Sequence, residues 1–329
     1  MSRNIALVGC GAIAQQYHLI ALANLRHEFD KVWLIDPNDK AREIASSILE
    51  TEQSATLADV PDELQFVIVA SPNMHHYSAA RDALSRGAHV LIEKPFVIWP
   101  DEGRELIRLA TAHRRVIAVN QTRRFFPHAQ ELRRRICAGD FGALKKVVHY
   151  EGVKLDWPFS SGASFARDAE RTGVIMDFGV HVLDFYEYLL NPTWTFESAI
   201  HDGFNGPEGL AELRLKANDA LVSIRLSRYQ KQENIAHLYF DDAQVHIGIF
   251  QPKVYSIAAN SGGRSRRLVV ESHQADSAFL PVKILRNFVA AAMGREKAVC
   301  EATSSLPVID LLDEIYRCAN RYPETLGTV

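Results

Sequence analysis

Cysteine is scarce in this 329-residue chain: Cys10, Cys137, Cys300 and Cys318 stand far apart, without a C-x-x-C pair or a histidine at metal-ligand spacing. Neither a zinc site nor a disulfide framework is suggested, so no metal is expected and a reducing, cytoplasmic setting fits best. Long apolar runs are also missing; none approaches the roughly 18 residues that span a bilayer. The N-terminus enters a strand pattern almost at once, without the basic stretch and long apolar core of a secretory signal, and no membrane partner is expected. Charge of one sign is absent too. The 37 Lys and Arg against 40 Asp and Glu leave a formal charge of -3, which gives no electrostatic ground for nucleic acid as a partner. The runs Arg133-Arg134-Arg135 and Arg266-Arg267 read as solvated helix or loop. There is no internal repeat and no low-complexity linker.

What is present is a core. Apolar residues make up 47% of the chain, enough at this length for two domains. The run Ile5-Ala6-Leu7-Val8 leads into Gly9-Cys10-Gly11-Ala12-Ile13-Ala14 and then a helical pattern, so a glycine-rich turn joins a first strand to a first helix. Gly9 permits the tight turn, Gly11 lets backbone N–H groups near a pyrophosphate, and small Ala14 allows close helix–strand packing; the helix N-terminus adds partial positive charge. A second strand, residues 31–35, ends in Asp36, about twenty residues beyond the glycines, where a carboxylate accepts from the adenosine ribose hydroxyls. Gly9, Gly11, Ala12, Ile13 and Asp36 are therefore candidate dinucleotide contacts. Asp36 would repel a 2′-phosphate, and the next residues bring no cation before Lys40, so NAD is expected ahead of NADP.

The first 119 residues alternate strand and helix, the signature of a doubly wound parallel sheet. After Asp36, residues 39–49 read as helix and 64–70 as a strand buried on both faces, closed by Ser71-Pro72-Asn73. Helix 77–86 follows, with Gly87 just past its end. Strand 89–92 then delivers Glu93-Lys94-Pro95 to the carboxyl edge of the sheet, where ligands bind in such folds. Helix 101–113, with Asp101 as N-cap, and strand 116–119 complete the domain. From 120 to 329 the pattern is different. After helix 127–138, strands at 144–151, 209–216, 220–228, 235–241 and 244–250 come without intervening helices beyond the first, and short turns at 218–219 and 241–243 imply antiparallel hairpins. Amphipathic helices are expected near 281–293 and 306–320. The fold class is α/β: a Rossmann-type domain, 1–119, and an α+β domain, 120–329, with an open, mainly antiparallel sheet.

Between the first two of those later strands, residues 174–190 have helical apolar spacing, with Asp177, His181 and Asp184 at i, i+4 and i+7 on one face. Ionisable groups in so apolar a helix demand partners. Taken alone, His181 reads as a buried histidine held by Asp177 or Asp184. Lys94, at the ligand edge of a nucleotide-type sheet, shifts the balance toward chemistry.

The combination resembles the glucose-fructose oxidoreductase, inositol dehydrogenase and MocA (Gfo/Idh/MocA) oxidoreductases over nearly the whole length. The resemblance rests on the glycine fingerprint, Pro72-Asn73 with His76 and Ala80, Glu93-Lys94-Pro95, Arg124-Phe125 with Pro127, and Asp177-Phe178-Gly179-Val180-His181 with Asp184. It implies a nicotinamide dinucleotide, with Ser71, Pro72, Asn73, His76, Glu93 and Lys94 as further cofactor contacts. It implies Lys94, His181 and Asp177 as the catalytic set, and Lys94, Arg124, Trp157, Asp177 and His181 as substrate contacts. In that scheme His181 exchanges the hydroxyl proton and Lys94 stabilises the developing alkoxide. The substrate implied is a sugar, cyclitol or nucleotide-linked sugar. Alternatives are another small cyclic substrate, such as a dihydrodiol or imine, and a sensor that binds dinucleotide without catalysis. A homodimer or homotetramer built on the second sheet is also implied, in keeping with the alternation along strands such as 223–227. One departure stands out: relatives carry two or three glycines where this chain has Arg171-Thr172-Gly173.

Overall fold

The computed structural model describes residues 3–61, 63–154, 171–203, 206–262, 265–270 and 280–323. They form two compact units, the first comprising the chain up to Phe125 with 280–309, the second the remaining described residues. The first unit opens with β1 (Ile5–Val8), a π-helical turn (Ala14–His18) and α1 (Leu19–Asn24). It continues through β2 (Val32–Ile35), α2 (Asp39–Ser46), β3 (Glu52–Ser54), β4 (Phe66–Val69), α3 (His76–Ser85), β5 (His89–Ile92), α4 (Pro100–His113) and β6 (Ile117–Val119). All six strands are parallel, in the order β3-β2-β1-β4-β5-β6. The order reverses direction between β1 and β4, which opens a crevice at their carboxyl ends. Strands β2, β4 and β5 are buried throughout, as continuous apolar runs between two helix layers must be. Edge strand β3 is polar, Glu52-Gln53-Ser54, and carried no periodic signal. Helix α4 starts one residue before the expected cap: Trp99 is its N-cap and Pro100 its first residue, where a proline's missing N–H costs nothing.

The second unit holds α5 (Pro127–Cys137), β7 (Leu144–Gly152), a second π-helical turn (Ile175–Gly179), α6 (Val180–Leu190), β8 (Trp194–His201), β9 (Leu210–Ala217), β10 (Ala220–Ser227), β11 (Ile235–Phe240), β12 (Ala243–Gly248), β13 (Val254–Ala259) and β14 (Arg266–Val269). Helices α7 (Leu280–Ala292) and α8 (Ala302–Cys318) and the short β15 (Asn320–Arg321) follow. The second sheet runs β14-β13-β12-β11-β7-β10-β9-β8-β15. It is mixed rather than purely antiparallel. β7 and β10 pair parallel, as do β15 and β8, because the long connection between β7 and β10, which includes α6, brings the chain back in the same direction. Strands β8, β13 and β14 lack a clean sequence signal; in β8 an irregularity between Phe196 and Ser198 breaks the alternation.

The grouping of the C-terminal segment differs from a simple division at residue 119. Val282, Leu285, Phe288 and Val289 of α7 lie in one core with Leu22, Phe66 and Ile68, and the rings of Phe66 and Phe288 meet edge to face at 6.0 Å. An apolar helix face follows the surface that buries it, whatever its place in the chain.

Candidate active site

In the first unit the geometry starts at Gly9. Its φ of +95° is left-handed, and a Cβ there would stand 2.6 Å from the Ala70 carbonyl and the Ser71 nitrogen. Only glycine lets the turn lie this close to the end of β4. The Cys10 N–H donates to Asp36 Oδ2 at 2.9 Å and the Asn38 N–H to Oδ1 at 2.8 Å, so the carboxylate is fixed beside the glycine turn. Burial and the nearby Asp36 push the Cys10 thiol up to about 12, which leaves it inert. Arg42 donates to the Asp36 carbonyl and to the Asp39 carboxylate. Sequence spacing pointed to Lys40 as the nearest cation; one turn of α2 instead brings Arg42 back to the end of β2. These features fit a dinucleotide: a cradle that a Cβ would fill, a fixed carboxylate at the end of β2, and Ser71 Oγ, buried without a hydrogen-bond partner among the described residues.

At the end of β5, Glu93 is buried. Its Oε1 meets His18 Nε2 at 2.8 Å and accepts from Asn120 Nδ2 at 2.5 Å, and its Oε2 accepts the Lys94 N–H at 3.1 Å. Burial alone would raise this carboxyl, but the His18 hydrogen bond and charge, with Asn120 and Lys94, hold it down at about 2. Lys94 stands partly exposed above this base, and its bond to Pro95 is cis. His76 is fully buried, its ring nitrogens 2.7 Å from Pro95 O and 2.8 Å from Ser71 O. It ties the exit of β4 to the Lys94-Pro95 turn. Arg124 is also buried, bonded to Ser304 Oγ at 2.6 Å, Ser304 O at 3.1 Å and Val299 O at 3.4 Å; these bonds anchor the first turn of α8 and Val299 ahead of it.

In the second unit the expected stripe begins in the π-turn. Asp177 and His181 are partly exposed while Asp184 is buried. Asp177 Oδ2 pairs with Arg228 Nη2 at 2.9 Å. The turn is held at its start by Glu208, whose Oε1 accepts the Ile175 N–H at 3.0 Å and the Tyr316 hydroxyl at 2.7 Å. A Cβ on Gly173 would fall 1.9 Å from that carboxylate, so any larger residue there has to displace the Glu208 side chain. Arg171 adopts φ +55°, the left-handed conformation a glycine would take without strain. Its guanidinium bonds Asp313 Oδ1 at 2.7 Å and lies over the Tyr316 ring at 5.3 Å. The loop thus keeps a glycine-like backbone with an arginine in place. Behind α6, His149 is buried between the Tyr186 hydroxyl at 2.8 Å and Glu151 Oε2 at 3.1 Å. Trp157 lies outside the described residues. Among those described, no group of three or more His, Cys, Asp or Glu is placed to hold a metal ion.

The partners of the candidate residues were not legible in sequence: His18 and Asn120 for Glu93, Arg228 for Asp177, Glu208 and Tyr316 for the π-turn. Only His18 left a trace, a polar group on the buried side of an apolar helix.

Residues 3–121 match the family model described as oxidoreductase family, NAD-binding Rossmann fold (GFO_IDH_MocA), so over that segment the chain is similar to the Gfo/Idh/MocA oxidoreductases. D-glucoside 3-dehydrogenase of Escherichia coli is 29% identical over 192 residues, 56% of this chain and 53% of that protein. The matches span about half the length of such curated relatives. The fold extends further. A 3-ketoreductase from Actinomadura kijaniata, solved with NADP and TDP-benzene, superposes with a TM-score of 0.84 at 17% identity, covering 98% of this chain and 100% of that one. UDP-N-acetylglucosamine 3-dehydrogenase from Acidithiobacillus ferrooxidans gives 0.81 at 18% identity, covering 97% and 98%.

Proposed function

We propose that this chain is an NAD(P)-dependent oxidoreductase that interconverts a secondary hydroxyl and a ketone on a sugar, cyclitol or nucleotide-linked sugar. The observation that carries the reading is shared by the two units. Each sets a partly exposed ionisable group on a polar base: Lys94 on buried Glu93 with His18 and Asn120, and Asp177 on Arg228. The Asp177 carboxylate, and the main chain from which Lys94 projects, are thereby fixed in advance of the charge that develops in a transition state.

A bound nicotinamide would accept or give the hydride at its C4. His181 takes the hydroxyl proton during oxidation and returns it during reduction, as an imidazole can near neutrality. Lys94 places positive charge at the oxygen that becomes an alkoxide, and its main-chain N–H is held by Glu93. Asp177, steadied by Arg228, accepts a hydrogen bond from a substrate hydroxyl. His76 and Arg124 stand as candidate contacts to the cofactor and the substrate, each held by bonds within the first unit.

For the cofactor, Asp36 favours the ribose hydroxyls of NAD. Arg42 sets a guanidinium at the same strand end and narrows the margin against a 2′-phosphate. The relatives also support a sugar substrate, with glucosides and nucleotide-linked sugars among their names. The second sheet supports self-association: Val148, Tyr150, Arg225, His237, Tyr239 and His246 are half-buried on one face, a mixture suited to an interface in a homodimer or homotetramer. Free, exposed Cys137 and Cys318 suit a reducing, cytoplasmic compartment.

Hydride transfer measured with NAD and with NADP across a panel of sugars and cyclitols tests the reading. Turnover with at least one sugar, and a lower KM for NAD, is the expected outcome. Tight dinucleotide binding without turnover on any of them would leave the sensor reading in its place.

A further inference from the structure

Tyr229 is 63% exposed, yet it is held rigidly. Its ring rests on Gly209, where a Cβ would stand 2.3 Å from Cζ and 2.6 Å from Cε1. Its hydroxyl faces Asp202, and Asp202 Oδ1 accepts the N–H groups of Gly209 and Leu210 at 2.8 and 2.9 Å. The backbone is pinned as well: the Arg228 N–H donates to Gly209 O at 2.7 Å and the Tyr229 N–H to Ser227 Oγ at 3.2 Å. An exposed aromatic ring that has already lost its rotamer freedom binds without a further entropy cost, which is the property of a recognition platform. The preceding residue, Arg228, holds Asp177.

We propose that Tyr229 is the stacking platform of a neutral-sugar subsite. The open side of its ring takes the C–H face of a pyranose, and Asp177 accepts from a ring hydroxyl. Charge selects the class of sugar. Among the described residues at the base of the ring, the Asp202 carboxylate caps Gly209 and Leu210, and the one guanidinium beside it, Arg228, is engaged by Asp177. Phosphate recognition calls for a surplus of cationic donors, so this subsite suits an uncharged glycoside over a sugar phosphate or a nucleotide-linked sugar. The inference rests on the sugar reading above and names the residue and substrate class within it.

The test uses the full chain with methyl glucoside, glucose 6-phosphate and UDP-N-acetylglucosamine as probes, binding followed by saturation-transfer NMR and turnover by nicotinamide absorbance. Methyl glucoside is expected to bind best. Tyr229→Ala should raise its Kd and KM about tenfold or more, with NADH binding within about twofold; Tyr229→Phe, which keeps the ring, should stay within about threefold. Gly209→Ala, which displaces the ring, should shift KM in the same direction as Tyr229→Ala and decides the matter if the latter fails to fold. A parent enzyme that handles methyl glucoside while Tyr229→Ala, folded by circular dichroism, does so equally well overturns the platform alone. Preferred binding of either phosphorylated probe overturns the neutral class. A parent that binds none of the three overturns the sugar reading and this inference together.

Discussion

Two helices of this chain begin with a π-turn, and the contrast between them separates support from contact. In the first, Ala14–His18, the polar residue delivered by the turn is His18, which is buried against Glu93. In the second, Ile175–Gly179, it is Asp177, which keeps a third of its side chain exposed while paired to Arg228. π-turns recur at functional sites because the extra residue re-aims a side chain without ending the helix. Here one aims inward, to a base beneath Lys94, and the other outward, to where a ligand can be met. Substitutions at the inward cluster should therefore register first in stability and pH dependence, and those at the outward face in turnover.

The largest expected effect tests that division directly. Lys94→Ala and His181→Ala should each lower kcat/KM by about a hundredfold or more while dinucleotide binding stays within a few-fold, and Asp177→Asn should be milder. His18→Ala should lose stability in urea before it loses kcat. Full activity in Lys94→Ala rules out the proposed chemistry, and a His18→Ala protein as stable as the parent but equally inactive would erase the distinction between the two turns.

Glycines sharpen the same comparison through stability. At Gly9 a methyl group would meet main-chain atoms of Ala70 and Ser71 in addition to the left-handed φ, and these cannot move aside. Gly9→Ala should cost about 2–4 kcal/mol. At Gly173 the obstacle is the Glu208 side chain, which can swing away by giving up Ile175 and Tyr316, at about 1–3 kcal/mol for the groups left unpaired. Combined with Glu208→Ala, the Gly173→Ala penalty should fall well short of additivity. Urea unfolding of the two single variants and the double variant reads this out; strict additivity would mean that Glu208 is not what Gly173 accommodates.

Why the first site was legible in sequence and the second only in part follows from the range of the contacts. Gly9, Asp36, Glu93 and Lys94 lie at strand ends in a βαβ order, so local pattern and topology together fix where they meet. The partners in the second unit are set by long-range packing: Glu208 reaches back to Ile175, Tyr316 comes from α8, and Arg228 follows β10. None carries a local signature. The π-turn that carries Asp177 was not anticipated by 3.6 periodicity, and α7 was assigned by position in the chain although its apolar face belongs to the first core. The second sheet is mainly antiparallel, as its hairpin turns indicate, while the parallel β7–β10 and β8–β15 pairings come from long connections that carry no local signal.

Acid stability offers a smaller test, with two windows in the first unit. Glu93, held at about 2 against an ordinary 4.5, stabilises the fold fully above the ordinary value and loses that contribution as pH falls toward 2, about 3 kcal/mol in all. The groups facing it are His18, Asn120, Lys94 and Tyr17. His89 is held at about 4 against 6.5 by burial and by Arg115, while its Nδ1 accepts the Val116 N–H at 3.0 Å. There the unfolded chain takes the proton first, so stability falls as pH drops from 6.5 to 4. Urea midpoints measured stepwise should show both declines, and Glu93→Gln should flatten only the lower one. A single decline below pH 4 would show that His89 titrates normally in the folded protein.

The smallest effect concerns Arg171, whose left-handed backbone a glycine would adopt without strain. Its left-handed backbone costs about 1–2 kcal/mol for a residue with a Cβ, offset by the Asp313 ion pair and the contact with the Tyr316 ring, together worth on the order of 1–2 kcal/mol. Arg171→Ala removes the side-chain contacts and keeps the strain. Arg171→Gly removes both, at an added chain-entropy cost of about 0.5–1 kcal/mol, and should be the milder substitution by several tenths of a kcal/mol. Glycine is ordinarily the more damaging of the two replacements, so the order itself is diagnostic in urea unfolding. Alanine proving the better tolerated would mean that the loop relaxes out of the left-handed conformation once the arginine is gone, and that Arg171 imposes this geometry on the approach to the second π-turn rather than merely tolerating it.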